Sequence, residues 1–596
     1  MMRASRRCLV KHRIYRAPAF RPSLAADPHM KQSLSEVFEA HLGAVAAPRQ
    51  AEKAFTCIAT KRALSFAEVR TLSHAYSAAF VDLLGVKRGD VVCLLCPNSE
   101  FYCSVFHALL RVGAVVSPVN TLSTPEEIDR HMDLAGSALL ITSDPQGGDG
   151  TGPVVTEGLN ARTKARRRTL HLGRLGYTPA GVTVTPAAAA AAEAAADEAR
   201  RFATPDATIV LPFSSGTTGL PKGVQLTNQS LIANYLQVSH SLQFAPTDVG
   251  LSILPFFHIY GMLVLLHCVL LNGGMQVTFP RFDMEQYLGA MAAYKPTLLF
   301  VAPPVVVGLI KHPRVRTLDT SSVRWLFSAA APLRESVQRQ CEALFPNATI
   351  GQGYGLTETS PLLTTSPPKE QFKEHPPYGS AGMLVADTEA RIVDIAAERA
   401  GAEGIDPASL PDVPDGEEGE LSARGPQTMK GYLKAADTAK VFVANDPDDG
   451  PSRWGPWFRT GDIVRMRPGG HLEVTDRLKD LIKYKGYQVA PAELEALLQS
   501  HHDIQDAVVV GIPAPVDGDG EVPAAWVVLK PGLLEKDFGG DVAAAEAAFV
   551  AYVAGKVNPF KQLRGGVTVV DAIPKTASGK LLRRNVRDAI LAKAKK

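Results

Sequence analysis

Phe213-Ser-Ser-Gly-Thr-Thr-Gly-Leu-Pro-Lys-Gly223 places three glycines, four hydroxyl residues and one lysine within eleven positions. Glycines such as Gly216 let a backbone turn sharply and bring its N–H groups close to an anion. Ser214, Ser215, Thr217 and Thr218 offer donors suited to phosphate oxygens, and Lys222 adds a positive charge. The stretch is not a Walker A loop. That motif needs a glycine before the lysine and a hydroxyl after it, whereas Pro221 and Gly223 stand here. The plainer alternative is a β-hairpin with a polar tip.

A second cluster is Gly351-Gln-Gly-Tyr-Gly-Leu-Thr-Glu358. Tyr354 offers a flat face to a base, and Gly353 and Gly355 allow close approach. Thr357 can bond a phosphate, and Glu358 can hold Mg²⁺ through oxygen. The same string also suits an ordinary turn and helix cap. In Trp457-Phe-Arg-Thr-Gly-Asp462 the carboxylate has lone pairs enough for both ribose hydroxyls, the alternative being a free surface aspartate. Arg477, Lys479, Lys483 and Lys485 form a basic run that reads as a solvated face or an anion site, and Lys580 ends the loop Ile573-Pro-Lys-Thr-Ala-Ser-Gly-Lys580.

The elements around these residues alternate. Thr208–Pro212 reads as a buried strand, Val224 and Leu226 as part of a second, and a helix starts near Asn228 with Leu231, Ile232 and Tyr235 on one face. Residues 65–85 read as a helix, Asp90–Cys96 as a strand, a helix follows from Ser99 to Gly113, and Ala114–Val119 is a further strand. That spacing suits a parallel crossover, which Leu139–Thr142 continues. Composition shifts over 145–203, where Pro186–Ala196 is nearly all alanine; this reads as an exposed insertion with a solvated helical spacer. Segments 394–418 and 446–456 read as surface insertions.

At 596 residues, 46% hydrophobic and 21% charged, the chain can bury a large core. A net charge of +3 gives no reason to expect nucleic-acid binding, and seven scattered cysteines indicate neither a disulfide framework nor a zinc site. Cys93 and Cys96 lie in an apolar run and read as buried strand residues. The apolar runs are too short or too proline-broken to span a bilayer. Residues 1–13 form a basic, acid-free extension that can be a mitochondrial targeting segment. With no secretory signal and no SKL-type C-terminus, the expected location is cytoplasmic or mitochondrial.

The glycine-hydroxyl-lysine loop resembles the phosphate loop of the adenylate-forming superfamily, which includes acyl-CoA synthetases, firefly luciferases and peptide-synthetase adenylation domains. The run Asp476-Arg-Leu-Lys-Asp-Leu-Ile-Lys-Tyr-Lys-Gly-Tyr-Gln-Val-Ala-Pro-Ala-Glu-Leu-Glu495 resembles plant 4-coumarate–CoA ligases, as do Ile14–Pro18, Phe300–Val305 and Ser322–Leu333. The family usually has glycine where Ala329 stands. The resemblance spans residue 14 to the C-terminus with the motifs in family order.

The resemblance implies an α/β fold. Residues 14–475 form a large N-terminal domain of parallel sheets sandwiched by helices with a β-rich subdomain, and 476–596 form a small, mobile α+β domain. It implies an ATP- and Mg²⁺-dependent ligase that joins a hydrophobic acid, fatty or 4-coumarate-like, to CoA through an acyl-adenylate. It places Ser214–Thr218, Lys222, Gly353, Tyr354, Gly355, Thr357, Asp462 and Arg477 at the nucleotide and Glu358 at the metal. His258, Tyr260, Ala329, Ala330, Pro361, Leu362 and Leu363 fall at the acyl pocket. Lys580, Lys483, Gln488 and Thr357 take catalytic positions, Lys485 and Gly486 lie along the CoA path, and Lys479 is the hinge. The alternatives are a luciferase-like oxygenase built on the same adenylate and an inactive ligand-binding homologue.

Overall fold

A computed structural model of the chain describes residues 13–594 except 19–22, 46, 144–167, 178–180, 215–220, 334, 369–375, 396–409, 446–453, 479, 481, 485–486, 516–519, 558 and 577–580. The glycine-hydroxyl-lysine stretch sits on paired strands. Thr208–Val210 runs parallel to Val115–Pro118. Phe213–Ser214 then pairs antiparallel with Lys222–Thr227, Ser214 opposite Lys222 and Phe213 opposite Gly223. The two readings of this stretch are therefore compatible, because residues 215–220 connect the arms of a hairpin. Lys222–Thr227 also pairs with Gly431–Tyr432, which brings a residue two hundred positions later beside the lysine. Val91–Leu95, Val115–Pro118 and Leu139–Thr142 are mutually parallel neighbours, as the strand–helix–strand spacing predicts.

Lys53–Cys57, Val249–Ser252, Met275–Thr278, Leu298–Val301, Trp325–Ser328 and Thr349–Gly355 form the parallel part of a second, nine-stranded sheet. Gly353, Tyr354 and Gly355 close the last of these strands, and the carboxyl ends of parallel strands are where open α/β sheets bind ligands. Asn228–Leu242 joins the two sheets. Thr227 caps it through Ser230. One turn further in, Asn234, fully buried, accepts from Leu362 N at 3.0 Å and donates to Leu362 O at 2.8 Å. One amide thus satisfies both backbone groups of the strand that follows the Tyr354 motif.

A six-stranded, largely antiparallel sheet includes Glu389–Val393, Glu418–Arg424, Trp457–Arg467 and His471–Arg477, with Asp462 directly opposite Arg477. Beyond Arg477 a separate core of Ile482, Leu494, Val509, Val527 and Phe549 gathers the hairpin Ile482–Val489, the strands Ile504–Pro513, Glu521–Leu529 and Val567–Val569, and two helices. No described helix is long and apolar enough to cross a membrane.

The alanine-rich helix differs from the expected spacer. Pro186–Arg201 buries Ala188, Ala192 and Ala196, one turn apart, and packs on Ala78 and Val81 of the helix Phe66–Leu84. A stripe of methyl groups serves as a packing face because small side chains let two helices approach closely. The neighbouring strand Arg168–His171 extends the sheet beside Leu139–Thr142. Ala192→Glu should therefore lower the thermal unfolding midpoint, costing about 2 kcal/mol or more for an unpaired buried charge, while Ala190→Glu on the exposed face leaves it within error. Calorimetry on the two variants checks this.

Candidate functional site

Asp462 is the most enclosed carboxylate of the site, 1% exposed. The turn before it is set by Thr460 Oγ1, which accepts from Asp462 N at 3.1 Å, and by Gly461 in the left-handed region at φ +72°. Asp462 Oδ2 accepts from the Tyr354 hydroxyl at 2.6 Å, and Oδ1 meets Arg477 Nε at 2.7 Å. Burial, and then the Asp462 charge, push the Tyr354 phenol well above its ordinary pKa. Burial alone would lower the Arg477 pKa, but the adjoining Asp462 raises it, so the guanidinium stays charged. Each Asp462 oxygen keeps a second lone pair, which lets a fixed carboxylate accept two neighbouring hydroxyls.

Three to five residues past Tyr354 the chain makes a short 3₁₀ turn, Thr357–Thr359, with Thr357 half-buried at its start. Glu358 is buried, and its Oε1 accepts from the Tyr432 hydroxyl at 2.9 Å. Lys222 Nζ lies 5.0 Å from the centre of the same tyrosine ring and 3.7 Å from Asp437. A lysine from the hairpin, a carboxylate from the Tyr354 motif and Tyr432 are thereby gathered at one place. The donor set suits magnesium: one hard carboxylate with an oxygen still open, beside groups able to seat phosphates, matches an ion that keeps most of its water and phosphate ligands. Ser214 Oγ, at the mouth of the hairpin, is buried and has no hydrogen-bond partner among the described residues.

The glycines of the motif are required by contact. A Cβ on Gly355 would lie 1.9 Å from Pro361 O, and one on Gly353 would lie 2.5 Å from Phe327 Cζ. Pro361 O also accepts from Leu356 N and Thr359 Oγ1, so this carbonyl is fixed and cannot yield. Phe327 links the motif to the expected acyl pocket. Tyr260 is buried, packs edge-on against Phe327 and donates its hydroxyl to Phe327 O at 3.2 Å. His258 is half-buried two residues earlier, its Nδ1 accepting from Tyr260 N at 3.3 Å. Ala329 is buried; Ala330 is exposed at φ +75°, so the backbone conformation that favours glycine falls one residue past the position where the family carries it. Leu362 and Leu363, successive in one strand, face opposite ways. Leu362 packs in the large core on the Gly353 side, and Leu363 packs under Tyr354.

Ser215, Gly216, Thr217, Thr218, Lys479, Lys485, Gly486 and Lys580 lie outside the described residues, as do most of the 1–13 extension and most of the two surface insertions. Lys483 and Gln488 face each other as a strand pair.

Residues 44–433 match the model of the AMP-binding enzyme family, and residues 493–580 match that of the AMP-binding enzyme C-terminal domain. The chain belongs to the AMP-binding enzyme family. It is 35% identical to 4-coumarate–CoA ligase 5 of Oryza sativa subsp. japonica over 545 residues, 90% of this chain and 91% of that one. It is 33% identical to a 4-coumarate–CoA ligase of Pinus taeda over 550 residues, 90% and 91% of the two chains. The fold matches the anthranilate CoA ligase AuaEII in complex with anthranoyl-AMP at a TM-score of 0.74 and 21% identity, over 95% of this chain and 98% of that one. The protein is thus a 4-coumarate–CoA ligase-like member of the adenylate-forming superfamily, with the α/β and α+β parts expected of it.

Sequence reasoning missed Tyr432, Phe327 and Asn234. Each acts on a residue at least twenty-six positions away, and none carries a local signature. It also missed a charged knot beside the expected hinge. Asp476, Asp480 and Glu495 surround one guanidinium, that of Arg583, which pairs with Asp480 at 3.2 Å and with both Glu495 oxygens. Asp476 Oδ1 accepts from Arg477 N at 2.7 Å, and its Oδ2 has no hydrogen-bond partner among the described residues. Burial raises the Asp476 carboxyl to about 7, against the partial opposition of that backbone bond and of Arg583.

Two outcomes are expected. Gly355→Ala should lose measurable adenylate formation and lower the unfolding midpoint, because the clash is with backbone; an active, equally stable variant would contradict this geometry. Asp476 gives a pH dependence. Its folded pKa lies above the unfolded value of roughly 4, so the stability it confers is fully present below about pH 4 and is lost as pH rises through about 7. Asp476→Asn should hence raise the unfolding midpoint at pH 8 and lose that advantage as the pH falls to 5. A gain independent of pH would exclude the linkage.

Proposed function

We propose that the chain is an ATP-dependent carboxylate–CoA ligase that works through an acyl-adenylate on an apolar acid, either aryl-propenoic or fatty. The observation that carries this reading is the convergence of separated motifs. Lys222 and Glu358 meet at Tyr432, while Tyr354 and Arg477 grip Asp462. The 4-coumarate–CoA ligases among the relatives support the aryl-acid side of the proposal. The buried wall of Tyr260, Phe327 and Leu362 supports an apolar acyl group.

In this reading the ribose hydroxyls of ATP bind Asp462, the adenine stacks along Tyr354, and Lys222 and the hairpin hydroxyls hold the phosphates. Glu358 would hold Mg²⁺, which when bound offsets charge on the phosphates. The acid's carboxylate oxygen attacks the α-phosphorus and pyrophosphate leaves. The CoA thiol then attacks the acyl carbon and AMP leaves, its thiol proton passing to solvent. No protein nucleophile is required; the chain contributes position and positive charge around a crowded phosphate. Lys580 serves the first step. Lys485 and Gly486 guide CoA in the second, Lys483 and Gln488 take catalytic positions, and Lys479 is the pivot between the two steps.

A panel of acids assayed for AMP release in the presence of CoA tests the substrate class; turnover of acetate-sized acids alone would defeat the apolar-pocket reading. The division of labour has its own test. Lys580→Ala should lower acid-dependent pyrophosphate release by about two to three orders of magnitude, as removal of a preorganised charge-stabilising group does. The same variant given synthetic acyl-adenylate and CoA should form thioester at close to the wild-type rate. Equal loss of both steps in a folded variant would refute it.

A further inference from the structure

The turn that carries His258 and Tyr260 is held by a residue outside the site described above. Asn98 is 4% exposed and lies just past the strand Val91–Leu95 of the eight-stranded sheet. Its Nδ2 donates to Ser252 O at 3.0 Å and to Leu254 O at 2.8 Å, and its Oδ1 accepts from Phe256 N at 2.7 Å. Ser252 ends a parallel strand of the nine-stranded sheet. One amide thus joins the carboxyl ends of strands from both sheets, the place where open α/β sheets bind ligands. It also supplies partners for buried backbone groups that the sheet itself does not pair.

The segment that begins at Asn98 grips this part of the chain twice more. Tyr102 packs on Phe256 with ring centres 5.4 Å apart. His107 and His267, both buried, bring their Nε2 atoms to 3.0 Å. His267 Nδ1 lies 2.7 Å from Met262 O. A carbonyl only accepts, so Nδ1 carries the proton and Nε2 accepts from His107. His267 belongs to the π-helix Tyr260–Val269, a rare form that is frequent at functional sites. Between these grips the backbone has little slack. His258 N donates to Pro255 O at 3.1 Å, Met262 N donates to His258 O at 2.8 Å, and a Cβ on Gly261 would lie 2.1 Å from Pro255 O.

We propose that Asn98 is a positioning residue for the acid: by fixing the backbone from Ser252 to Phe256 it places His258 and Tyr260 at the acyl group. The inference rests on the acyl-pocket reading proposed above. Tyr260 donates to Phe327 O and packs edge-on against the Phe327 ring, so a shift of the turn disturbs the wall that these two residues form together. The groups assigned to the nucleotide are held by other bonds, Tyr354 and Arg477 by Asp462, and Glu358 by Tyr432. A loosened turn therefore acts on the acid and leaves ATP alone.

Asn98→Ser removes the amide. It should raise the KM for 4-coumarate or octanoate, whichever the wild type turns over, by about ten- to hundredfold, the scale of a site misplaced by about 1 Å, with the KM for ATP unchanged. Hydrogen exchange should quicken at Met262, whose N–H donates to His258 O and not to Asn98, and should stay as it was at Leu362, which Asn234 holds. Ser104→Ala removes a buried bond from the same segment, to Val69 O at 2.9 Å, and should leave both KM values unchanged. An unchanged acid KM in folded Asn98→Ser, or acid and ATP KM values that rise together, would overturn the assignment. Should Asn98→Ser not fold, the wild type decides. Its Phe256 and Met262 amides should exchange as slowly without acid as with it; exchange that slows only once acid binds would show that the substrate, and not Asn98, shapes the wall. Absence of AMP release by the wild type with either acid would defeat the ligase reading on which the assignment rests, whereas the failures above, in an enzyme that does turn over, defeat the role of Asn98 alone.

Discussion

The buried Asp462 carboxylate, shared between the Tyr354 hydroxyl and the Arg477 guanidinium, fixes how the site is built. A charge so deeply enclosed is tolerated only when paired and hydrogen-bonded. Its two partners come from different layers. Tyr354 closes the last parallel strand of the nine-stranded sheet, and Arg477 ends the last strand of the six-stranded sheet. The pairing therefore ties the two sheets together where these strands end. Loss of any one member leaves a buried polar group unsatisfied, so the register of the layers rests on the atoms proposed to meet the ribose.

Around that pair the backbone is held by contacts with little freedom. Gly355 lies against Pro361 O, Gly353 against the Phe327 ring, and Asn234 holds Leu362 by both its backbone groups. These links pass from the hairpin helix to the Tyr354 strand and on to Phe327 and Tyr260. The proposed phosphate-side and acyl-side walls are consequently one packed unit. A substrate bound in it meets groups already in place, which is where preorganised catalysis draws its advantage.

Just past Arg477 the chain leaves this unit through a knot of opposite character. One guanidinium, Arg583, faces three carboxylates, and the one with the weakest claim on it, Asp476, carries the raised pKa. The knot is rich in charge, so its strength depends on protonation. It makes the stability of this junction depend on pH through Asp476.

Much of the fold could be read along the chain. The spacing of Val91–Leu95, the helix Tyr102–Arg111 and Val115–Pro118 dictated a parallel crossover, because the periods of strand and helix are written locally. The motifs brought Lys222, Tyr354, Glu358 and Asp462 forward by residue type, as candidates for phosphate, base, metal and ribose, and the family resemblance added Arg477. Tertiary structure alone decided what those residues touch. Tyr432 lies 74 positions from Glu358, and Asn234 lies 128 from Leu362. The alanine stripe looked like a solvated spacer because methyl groups carry almost no periodic signal, and only a partner helix at close range turns them into a face.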